Sequence, residues 1–292
     1  MDYLIHLAIL IGIYGILGIS LNLVVGYTGL ISITQAAFYG IGAYTTAILL
    51  TSFGWNFFLS VIVAMIISSV IAGLIGLVMA KFKRDYYALA SFGFNIIIWS
   101  IFLNWQSLTR GPLGIPGIKR PTLGSGAWSL EFTSNVSFLV LVIIFLIIIY
   151  FIAEFIVRSS FGRVLKAVRE DEEAIKVFGY KTHHYKLLIF IIGAGLAAVA
   201  GSLFASYITF IDPSTFALLE SIFILSIIIL GGLANNRGAI IGAIALILLP
   251  EILRFVGFPT DIAAQMRQVV YGVLLIVLML YRPQGLIGEY KL

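Results

Sequence analysis

The sequence predicts an all-α fold, a polytopic bundle of transmembrane helices, and three observations lead to this prediction. Of the 292 residues, 61% are hydrophobic and 11% are charged, whereas a soluble domain carries about 25% charged residues. The apolar residues occur in runs of about 20, long enough for a helix to cross a hydrocarbon core about 30 Å thick. The runs are continuous, whereas a barrel strand alternates over about 10 residues. Because lipid offers backbone groups no hydrogen bonds, each run is expected to be helical.

The apolar runs predict about nine membrane segments, with roughly eight to ten as the range that uncertain boundaries allow. The first run is too long for the apolar core of a signal peptide and is interpreted as a retained span. The second begins with a Gly-rich polar stretch, which favours a broken or re-entrant helix. No linker divides the chain, so residues 1–292 are interpreted as a single transmembrane domain. The runs cover residues 4–25, 30–52, 56–80, 87–106, 136–157, 187–208, 217–233, 238–256 and 266–281.

The positions of lysine and arginine predict which side of the membrane each loop occupies. These cations collect in cytoplasmic loops, so the loops after the third, fifth, seventh and ninth runs are predicted to be cytoplasmic, as is the C-terminus. The segment 109–135 is predicted to lie outside, and the side of the N-terminus depends on whether the second run is a simple span. The cations assigned to the cytoplasm are Lys81, Lys83, Arg84, Arg158, Arg163, Lys166, Arg169, Lys176, Lys181, Lys186, Arg237, Arg282 and Lys291.

Motifs for catalysis and cofactor binding are absent from the sequence. There is no cysteine, which excludes disulfides, thiolate metal sites and a cysteine nucleophile. No G-x-x-x-x-G-K-[ST] or G-x-S-x-G motif occurs, and the three histidines lack metal-ligand spacing. The net charge of +5 comes from cations placed between the apolar runs. We therefore expect no catalytic residue, no metal, no cofactor and no nucleic-acid partner.

The charged segment 159–186 is predicted to contain a cytoplasmic amphipathic helix. Val164, Val168, Ile175 and Phe178 recur at helical spacing, charged residues cover the other faces, and Gly179 is a suitable left-handed stop. One interpretation is a helix that docks in a groove of a partner protein. The other is a helix that lies on the anionic inner leaflet. The four consecutive acids at 170–173 favour docking, because anionic lipid would repel them.

Uncharged polar residues within the runs are candidates for a translocation path, because polar groups are costly in lipid unless they face protein or water. Hydrogen bonding between helices is the alternative for each of them. Charged side chains are expected to avoid the middle of the membrane, and Glu220 is placed near an outer end. The candidate path residues are Asn22, Ser32, Thr34, Gln35 and Asn95.

Small residues recur four apart in two of the predicted helices. This spacing places them on one helical face, where they allow a neighbouring helix to approach closely. We therefore expect these two faces to be packing surfaces. They consist of Ser68, Ala72, Gly76 and Ala80 in one helix, and of Gly193, Ala197, Gly201 and Ala205 in the other.

Four stretches of the sequence resemble one family over nearly the whole chain. They are LNLVVGYTGLISITQAAFYGIGAYTTAIL at 21–49, SSFGRVLKAVREDEEAIKVFGYKTHHYKLLIF at 159–190, ILGGLANNRGAIIGA at 229–243 and VVYGVLLIVLMLYRPQGLIG at 269–288. In this order they are similar to the LivM-like permeases of branched-chain amino acid ABC importers. The resemblance implies an ABC importer permease fold and a transport subunit rather than an enzyme.

The resemblance also implies partners and a coupling role for the segment 159–186. It implies two ATP-binding subunits on the cytoplasmic face, a second homologous permease and an external substrate-binding protein, all assembled at the plasma (inner) membrane. ATP hydrolysis would belong to the partners. The residues that it assigns to the ATPase-coupling loop are Gly162, Arg163, Ala167, Arg169, Glu170, Asp171, Ala174 and Gly179.

Two alternatives to this function remain at the level of sequence. Another small polar solute, such as a sugar, urea, an amide or a different amino acid, could replace leucine, isoleucine and valine, because no residue in the sequence identifies the cargo. A stand-alone secondary transporter is the alternative from another class. Such a protein would carry an ionisable side chain near the middle of the membrane, which the sequence gives no reason to expect.

Overall fold

The computed structural model describes residues 2–79, 82, 84–123, 130–255, 272–273 and 284–287, and helices dominate them. Four two-residue strands lie in the loops. The helices are α1 (Asp2–Leu21), α2 (Gln35–Thr51), α3 (Phe57–Met79), α4 (Arg84–Asn104), α5 (Gln106–Thr109), α6 (Asn135–Arg158), α7 (Ser160–Glu170), α8 (Glu172–Val177), α9 (Thr182–Ile208), α10 (Leu218–Gly231) and α11 (Asn236–Phe255). The strands are β1 (Ile115–Pro116), β2 (Thr122–Leu123), β3 (Leu130–Glu131) and β4 (Phe210–Ile211).

Within the described residues, five helices are long and apolar enough to cross a membrane. They are Asp2–Gly26, Phe57–Met79, Tyr86–Asn104, Asn135–Arg158 and Thr182–Ile208. A sixth span results if the pair Leu218–Gly231 and Asn236–Leu249, bent by 117°, is counted as one. The chain is therefore a multi-pass, mostly helical membrane protein.

The predicted runs and the observed helices differ at three places. The second run becomes helical only at Gln35, which leaves α2 with 17 residues, and the seventh and eighth runs form the bent pair. The ninth run, 266–281, lies outside the described residues except for 272–273, and Lys81, Lys83, Arg282, Lys291 and the C-terminus also lie outside them. Among the described residues, the short α2 and the bent pair, which counts as at most one span, leave five or six candidate spans where the sequence predicted about nine.

Helix α9 packs against α2 and α3, and its small residues lie at these contacts. A Cβ on Gly201 would meet the backbone of Tyr39 and Ala43, and a Cβ on Gly42 would meet the backbone of Ala198. The Ser68 hydroxyl of α3 donates to the Ala194 carbonyl of α9 at 2.9 Å. The predicted face of α9 therefore packs on α2 at Gly201, and the predicted face of α3 packs on α9 at Ser68, because small side chains let neighbouring backbones approach.

The N-terminal end of α1 lies at the same end of the bundle as the segment predicted to be outside. His6 Nδ1 is 2.6 Å from the Tyr207 hydroxyl, and the Arg120 guanidinium lies 5.9 Å from the centre of the Tyr207 ring. Strand β1 pairs antiparallel with β4 beside them. The opposite end of α1 reaches the charged segment that was predicted to be cytoplasmic.

Two breaks interrupt the helical bundle, one after α1 and one between α10 and α11. Helix α1 continues into a π-helical turn, Asn22–Gly26, and residues 29–34 that follow are not helical. The second break comprises residues 232–235, with φ of 114° at Gly232 and 59° at Ala234. The polar stretch at 26–35 thus forms a broken span, as its composition predicted.

Gly201→Ala is expected to lower the thermal stability of the purified protein. In a helix interior, alanine is favoured over glycine by about 1 kcal/mol, but here the added methyl meets backbone atoms of α2 that cannot move independently. Overpacking of this kind costs about 1–3 kcal/mol. Gly93→Ala is the matched control, since a Cβ there meets open space, and it is expected to be neutral or stabilising. Equal melting temperatures for the two variants in detergent would contradict the assigned packing.

Candidate functional site

The charged segment forms two short helices, α7 and α8, with a sharp junction at Asp171. Ser159 caps α7 by accepting a hydrogen bond from the Gly162 amide. The Asp171 carboxylate accepts hydrogen bonds from the Glu173 and Ala174 amides, both at 3.0 Å, and so caps α8. The prediction of one amphipathic helix in this segment, over 163–178, was therefore wrong. Asp171 favours a helix start over a helix interior. Residues 159–179 are called the lever below.

The lever ends as the sequence predicted, in a left-handed glycine. Gly179 has a φ of 85°, and its amide donates to the Lys176 carbonyl at 2.9 Å. The two apolar residues just before it are highly exposed, with Val177 at 86% and Phe178 at 77% exposure. Large apolar side chains this exposed on a charged segment indicate a surface that another molecule covers.

One side of the lever packs on the membrane helices, and the other carries its charges. Leu165 and Val168 are buried, and Gly162 is so close to the end of α6 that a Cβ would meet the Val157 carbonyl. Of the predicted coupling residues, Gly162 is buried, Ala167, Arg169 and Ala174 are half-buried, and Arg163, Glu170, Asp171 and Gly179 are exposed.

Arg169 joins the lever to the first break in the bundle. Its guanidinium Nη1 donates a hydrogen bond to the carbonyl of Gly26, the last residue of the π-helical turn. The Lys166 ammonium lies 5.6 Å from the centre of the Tyr27 ring, one residue further along. A displacement of α7 would therefore act directly on the backbone where the first span ends.

An ion pair fixes the other end of the lever to the start of α9. The Lys186 ammonium, only 7% exposed, donates to the Glu172 carboxylate, and the Thr182 hydroxyl donates to the same carboxylate at 3.0 Å. Desolvation alone would raise the pKa of Glu172. Hydrogen bonds from Lys186 and Thr182, with the charges of Lys186 and Lys176, outweigh it and hold the pKa below its ordinary value. The ionised carboxylate is therefore the form that the fold stabilises.

Asn22, a candidate path residue, connects the two breaks. Its Oδ1 accepts a hydrogen bond from the Ala234 amide at 3.0 Å, and its Nδ2 donates to Asn236 Oδ1 at 3.4 Å. Asn236 Nδ2 in turn donates to the Glu154 carboxylate at 3.3 Å, and Arg158 pairs with that carboxylate at 2.8 Å. Because α7 follows Arg158 directly, this chain of contacts returns to the lever.

Three other candidate path residues lie together at the start of α2. The hydroxyls of Ser32 and Thr34 are 2.9 Å apart, and Gln35 Nε2 donates to the Ser20 hydroxyl at 2.5 Å. Asn95 is fully buried, and neither of its amide atoms has a hydrogen-bond partner in the described part of the chain. The contacts do not bring Asn22 or Asn95 into hydrogen bonding with this group.

Three serines complete the polar group around the first break, and the sequence did not indicate them. The Ser91 hydroxyl accepts from the Ile33 amide at 2.9 Å, and the Ser221 hydroxyl accepts from the Ala36 amide at 2.9 Å. The Ser20 hydroxyl accepts the hydrogen bond from Gln35 described above. Serine is common in membrane helices, so nothing in their sequence context separated these three from the others.

Glu220 does not lie at an outer end, and that expectation was wrong. Its carboxylate accepts a hydrogen bond from the Tyr14 hydroxyl at 2.6 Å, and Tyr14 lies halfway along the span Asp2–Gly26. The error arose because Glu220 begins an apolar run, which hydropathy places at the membrane surface. In the structure, loop residues 210–217 enter the bundle before α10 begins, with Phe216 fully buried.

The chain is similar to known transport proteins over almost its full length. The family described as branched-chain amino acid transport system / permease component matches residues 3–279. The high-affinity branched-chain amino acid transport system permease protein LivM of Escherichia coli K12 is 33% identical, over 97% of this chain and 69% of LivM. A probable branched-chain amino acid transport permease protein LivM of Methanocaldococcus jannaschii is 26% identical, over 95% and 91%.

A second type of permease also matches. The high-affinity branched-chain amino acid transport system permease protein LivH of Escherichia coli K12 is 28% identical, over 94% of this chain and 91% of LivH. No solved structure matches the chain significantly.

Glu172→Gln is expected to loosen the lever at neutral pH. In the wild type, protection of the 172–186 amides should be complete above the ordinary carboxyl pKa of 4.5. It should be lost as the pH falls through the lowered pKa of Glu172, because protonation breaks the pair with Lys186. Hydrogen exchange, corrected for its intrinsic pH dependence, measures this protection. Glu173→Gln is the control, since Glu173 is exposed and its partner in the described part of the chain is Lys176 rather than Lys186. Wild-type protection in Glu172→Gln would refute the role of the pair.

Proposed function

Since this chain belongs to the branched-chain amino acid transport system / permease component family, which matches residues 3–279, we propose that it is the membrane-spanning permease subunit of an ATP-driven importer for leucine, isoleucine and valine. It moves solute without changing it chemically. The family match over nearly the whole chain is the observation that carries this conclusion. The whole chain, 1–292, acts as one permease domain in the inner membrane, with a cytoplasmic C-terminus.

Two observations support the proposed partners. The sequence lacks a phosphate-binding loop, and the lever exposes apolar side chains. The sequence has no phosphate-binding loop, so the energy of ATP enters through two separate ATP-binding subunits on the cytoplasmic face. Val177 and Phe178 fit an apolar groove in such a subunit, and the adjacent charges at 170–173 set its orientation. A second homologous permease completes the pore, and an external binding protein delivers the solute.

Two connections in the chain support a mechanical role for the lever. Closure of the ATP-binding subunits displaces α7 and α8, and Arg169 transmits the displacement to the Gly26 carbonyl at the first break. Asn22 couples that break to the second one through Ala234. Both breaks therefore shift together when the lever moves, and the bundle alternates between outward and inward access. In this mechanism Gly162 and Ala167 let α7 pack closely, Asp171 separates α7 from α8, and Gly179 ends the lever after α8.

Arg163, Glu170 and Ala174 lie on the side of the lever available to the ATP-binding subunit. Ser32, Thr34 and Gln35 line the path at the first break, together with Ser20, Ser91 and Ser221. Asn95 contributes to the same path an amide that has no hydrogen-bond partner among the described residues. Asn22 acts on the path by connecting the two breaks. A solute passing this region would exchange hydrogen bonds with groups that already lie inside the bundle.

A stand-alone secondary transporter is the second candidate, and one observation favours it. Glu220 supplies a carboxylate beside the middle of the first span, which is the type of group that couples an ion gradient to transport. The two candidates differ in their energy source. An importer of another small polar solute differs only in cargo.

Reconstitution in liposomes separates these functions. The chain is assembled with the second permease and the two ATP-binding subunits, the binding protein is added, and radiolabelled leucine is measured. Accumulation that requires ATP and all partners is the expected result. Accumulation by the chain alone, driven by a proton or sodium gradient, would instead establish the secondary transporter. Uptake of another solute with no uptake of leucine would correct the cargo.

Arg169→Ala is expected to lower the amount of leucine imported per ATP hydrolysed by about tenfold. The change removes a charge-assisted hydrogen bond of about 1.5–3 kcal/mol, while the surface available to the ATP-binding subunit stays intact. ATP hydrolysis should therefore continue. The control is Lys119→Ala, which removes an exposed cation at the opposite end of the bundle and should leave the ratio unchanged. A wild-type ratio in Arg169→Ala would exclude the transmission through Gly26.

A further inference from the structure

Glu220 is a carboxylate inside the bundle whose partners do not neutralise it. Its one hydrogen bond in the described part of the chain comes from the Tyr14 hydroxyl at 2.6 Å. No lysine, arginine or histidine of the described residues pairs with it, although Glu154 and Glu172 both have such partners. A carboxylate that only a phenol contacts has hydrogen-bonding capacity left, because each of its oxygens accepts more than one bond.

The depth of this carboxylate follows from its partner. Tyr14 lies 12 residues from either end of the span Asp2–Gly26, which at 1.5 Å per residue is about 18 Å from each end. The hydrocarbon core is about 30 Å thick, so Tyr14 and the carboxylate that it contacts are close to its middle. An ionisable group at this depth is costly and is functional by default.

A second phenol with an unused hydroxyl lies close to the pair. Tyr39 of α2 is fully buried, and its hydroxyl has no hydrogen-bond partner in the described part of the chain. One turn before Tyr39, the Ala36 amide donates at 2.9 Å to the hydroxyl of Ser221, the residue after Glu220. Buried hydroxyls are nearly always hydrogen-bonded in a folded protein. An unpaired hydroxyl beside an unneutralised carboxylate therefore indicates a site that something else occupies.

The surroundings of the pair are apolar. Phe223 packs edge-on against the Tyr14 ring, with 5.3 Å between the ring centres, and the residues beside Glu220 on α10 include Leu219 and Ile222. The Glu220 side chain itself is half-buried. A carboxylate in such surroundings is stabilised when a group of opposite charge pairs with it.

We propose that Glu220, with the hydroxyls of Tyr14 and Tyr39, forms a subsite that receives the ammonium group of the transported amino acid. This inference rests on the proposed function, because it requires a cargo with an ammonium group. An amino acid that crosses the membrane must carry its positive charge through the middle of the bilayer. A fixed carboxylate at that depth compensates the charge, and the phenols accept its remaining N–H groups.

Two variants distinguish the proposed subsite from a hydrogen bond that serves only to hold α1 and α10 together. Glu220→Gln keeps an oxygen that accepts from Tyr14 but removes the negative charge. Tyr14→Phe removes the hydrogen bond but keeps the charge. If the charge receives an ammonium group, Glu220→Gln is the more damaging change. If the contact serves only to hold the helices together, Tyr14→Phe is at least as damaging.

The experiment measures ATP-dependent leucine uptake by the complete complex in liposomes. Glu220→Gln is expected to raise the KM for uptake about tenfold or more, the loss of one charged hydrogen bond. Tyr14→Phe is expected to change the KM by less than Glu220→Gln. Glu251→Gln, which removes another carboxylate from a membrane helix, is the control and should match the wild type. Co-purification with the ATP-binding subunits confirms that each variant assembles.

Three results would overturn the subsite. They are wild-type uptake by Glu220→Gln, equal losses in Glu220→Gln and Tyr14→Phe, and wild-type uptake that depends on a proton or sodium gradient. If Glu220→Gln fails to assemble, Glu220→Asp replaces it. That variant keeps the charge but withdraws it by one methylene, so a raised KM supports the subsite and a wild-type KM excludes it. Absence of ATP-dependent leucine uptake in the wild type would instead refute the proposed function.

Discussion

Two breaks in the helical bundle leave backbone amides without helical partners, and buried amides require other hydrogen-bond acceptors. Side chains from other helices take over this task. Ser91 accepts from the Ile33 amide, Ser221 from the Ala36 amide and Asn22 from the Ala234 amide. Each of these contacts ties a break to a different helix. The irregular backbone is therefore both stabilised and mechanically linked to its surroundings, and the rest of the mechanism depends on that link.

The lever is attached both to α9 and to the first of these breaks. It is held at α9 by the Glu172 and Lys186 pair, and Arg169 attaches it to the Gly26 carbonyl. A charged helix with only one attachment would move without consequence for the membrane region. In the mechanism proposed above, the two attachments convert a push at the exposed Val177 and Phe178 into a displacement of the first break. Hydrogen bonds connect the lever to the first break and the first break to the second.

Sequence patterns predicted the features that depend on composition and local chemistry. They indicated the helical membrane fold, the non-helical start of the second run, the left-handed Gly179 and helical structure in the charged segment. They did not predict features set by contacts between distant residues. Glu220 contacts Tyr14 of α1 although it begins an apolar run. Ser91 and Ser221 became important only because the first break placed the Ile33 and Ala36 amides beside them.

Distance measurements between spin labels test most directly whether the lever and the first break move as one body. The chain contains no cysteine, so Val177→Cys, Ile31→Cys and Phe53→Cys place labels on the lever, in the first break and at the far end of α2, all at exposed positions. Between the nucleotide-free and ATP-bound complexes, the distance from 177 to 31 should stay constant while the distances from both to 53 change. A changed distance from 177 to 31, with 31 to 53 constant, would contradict the account.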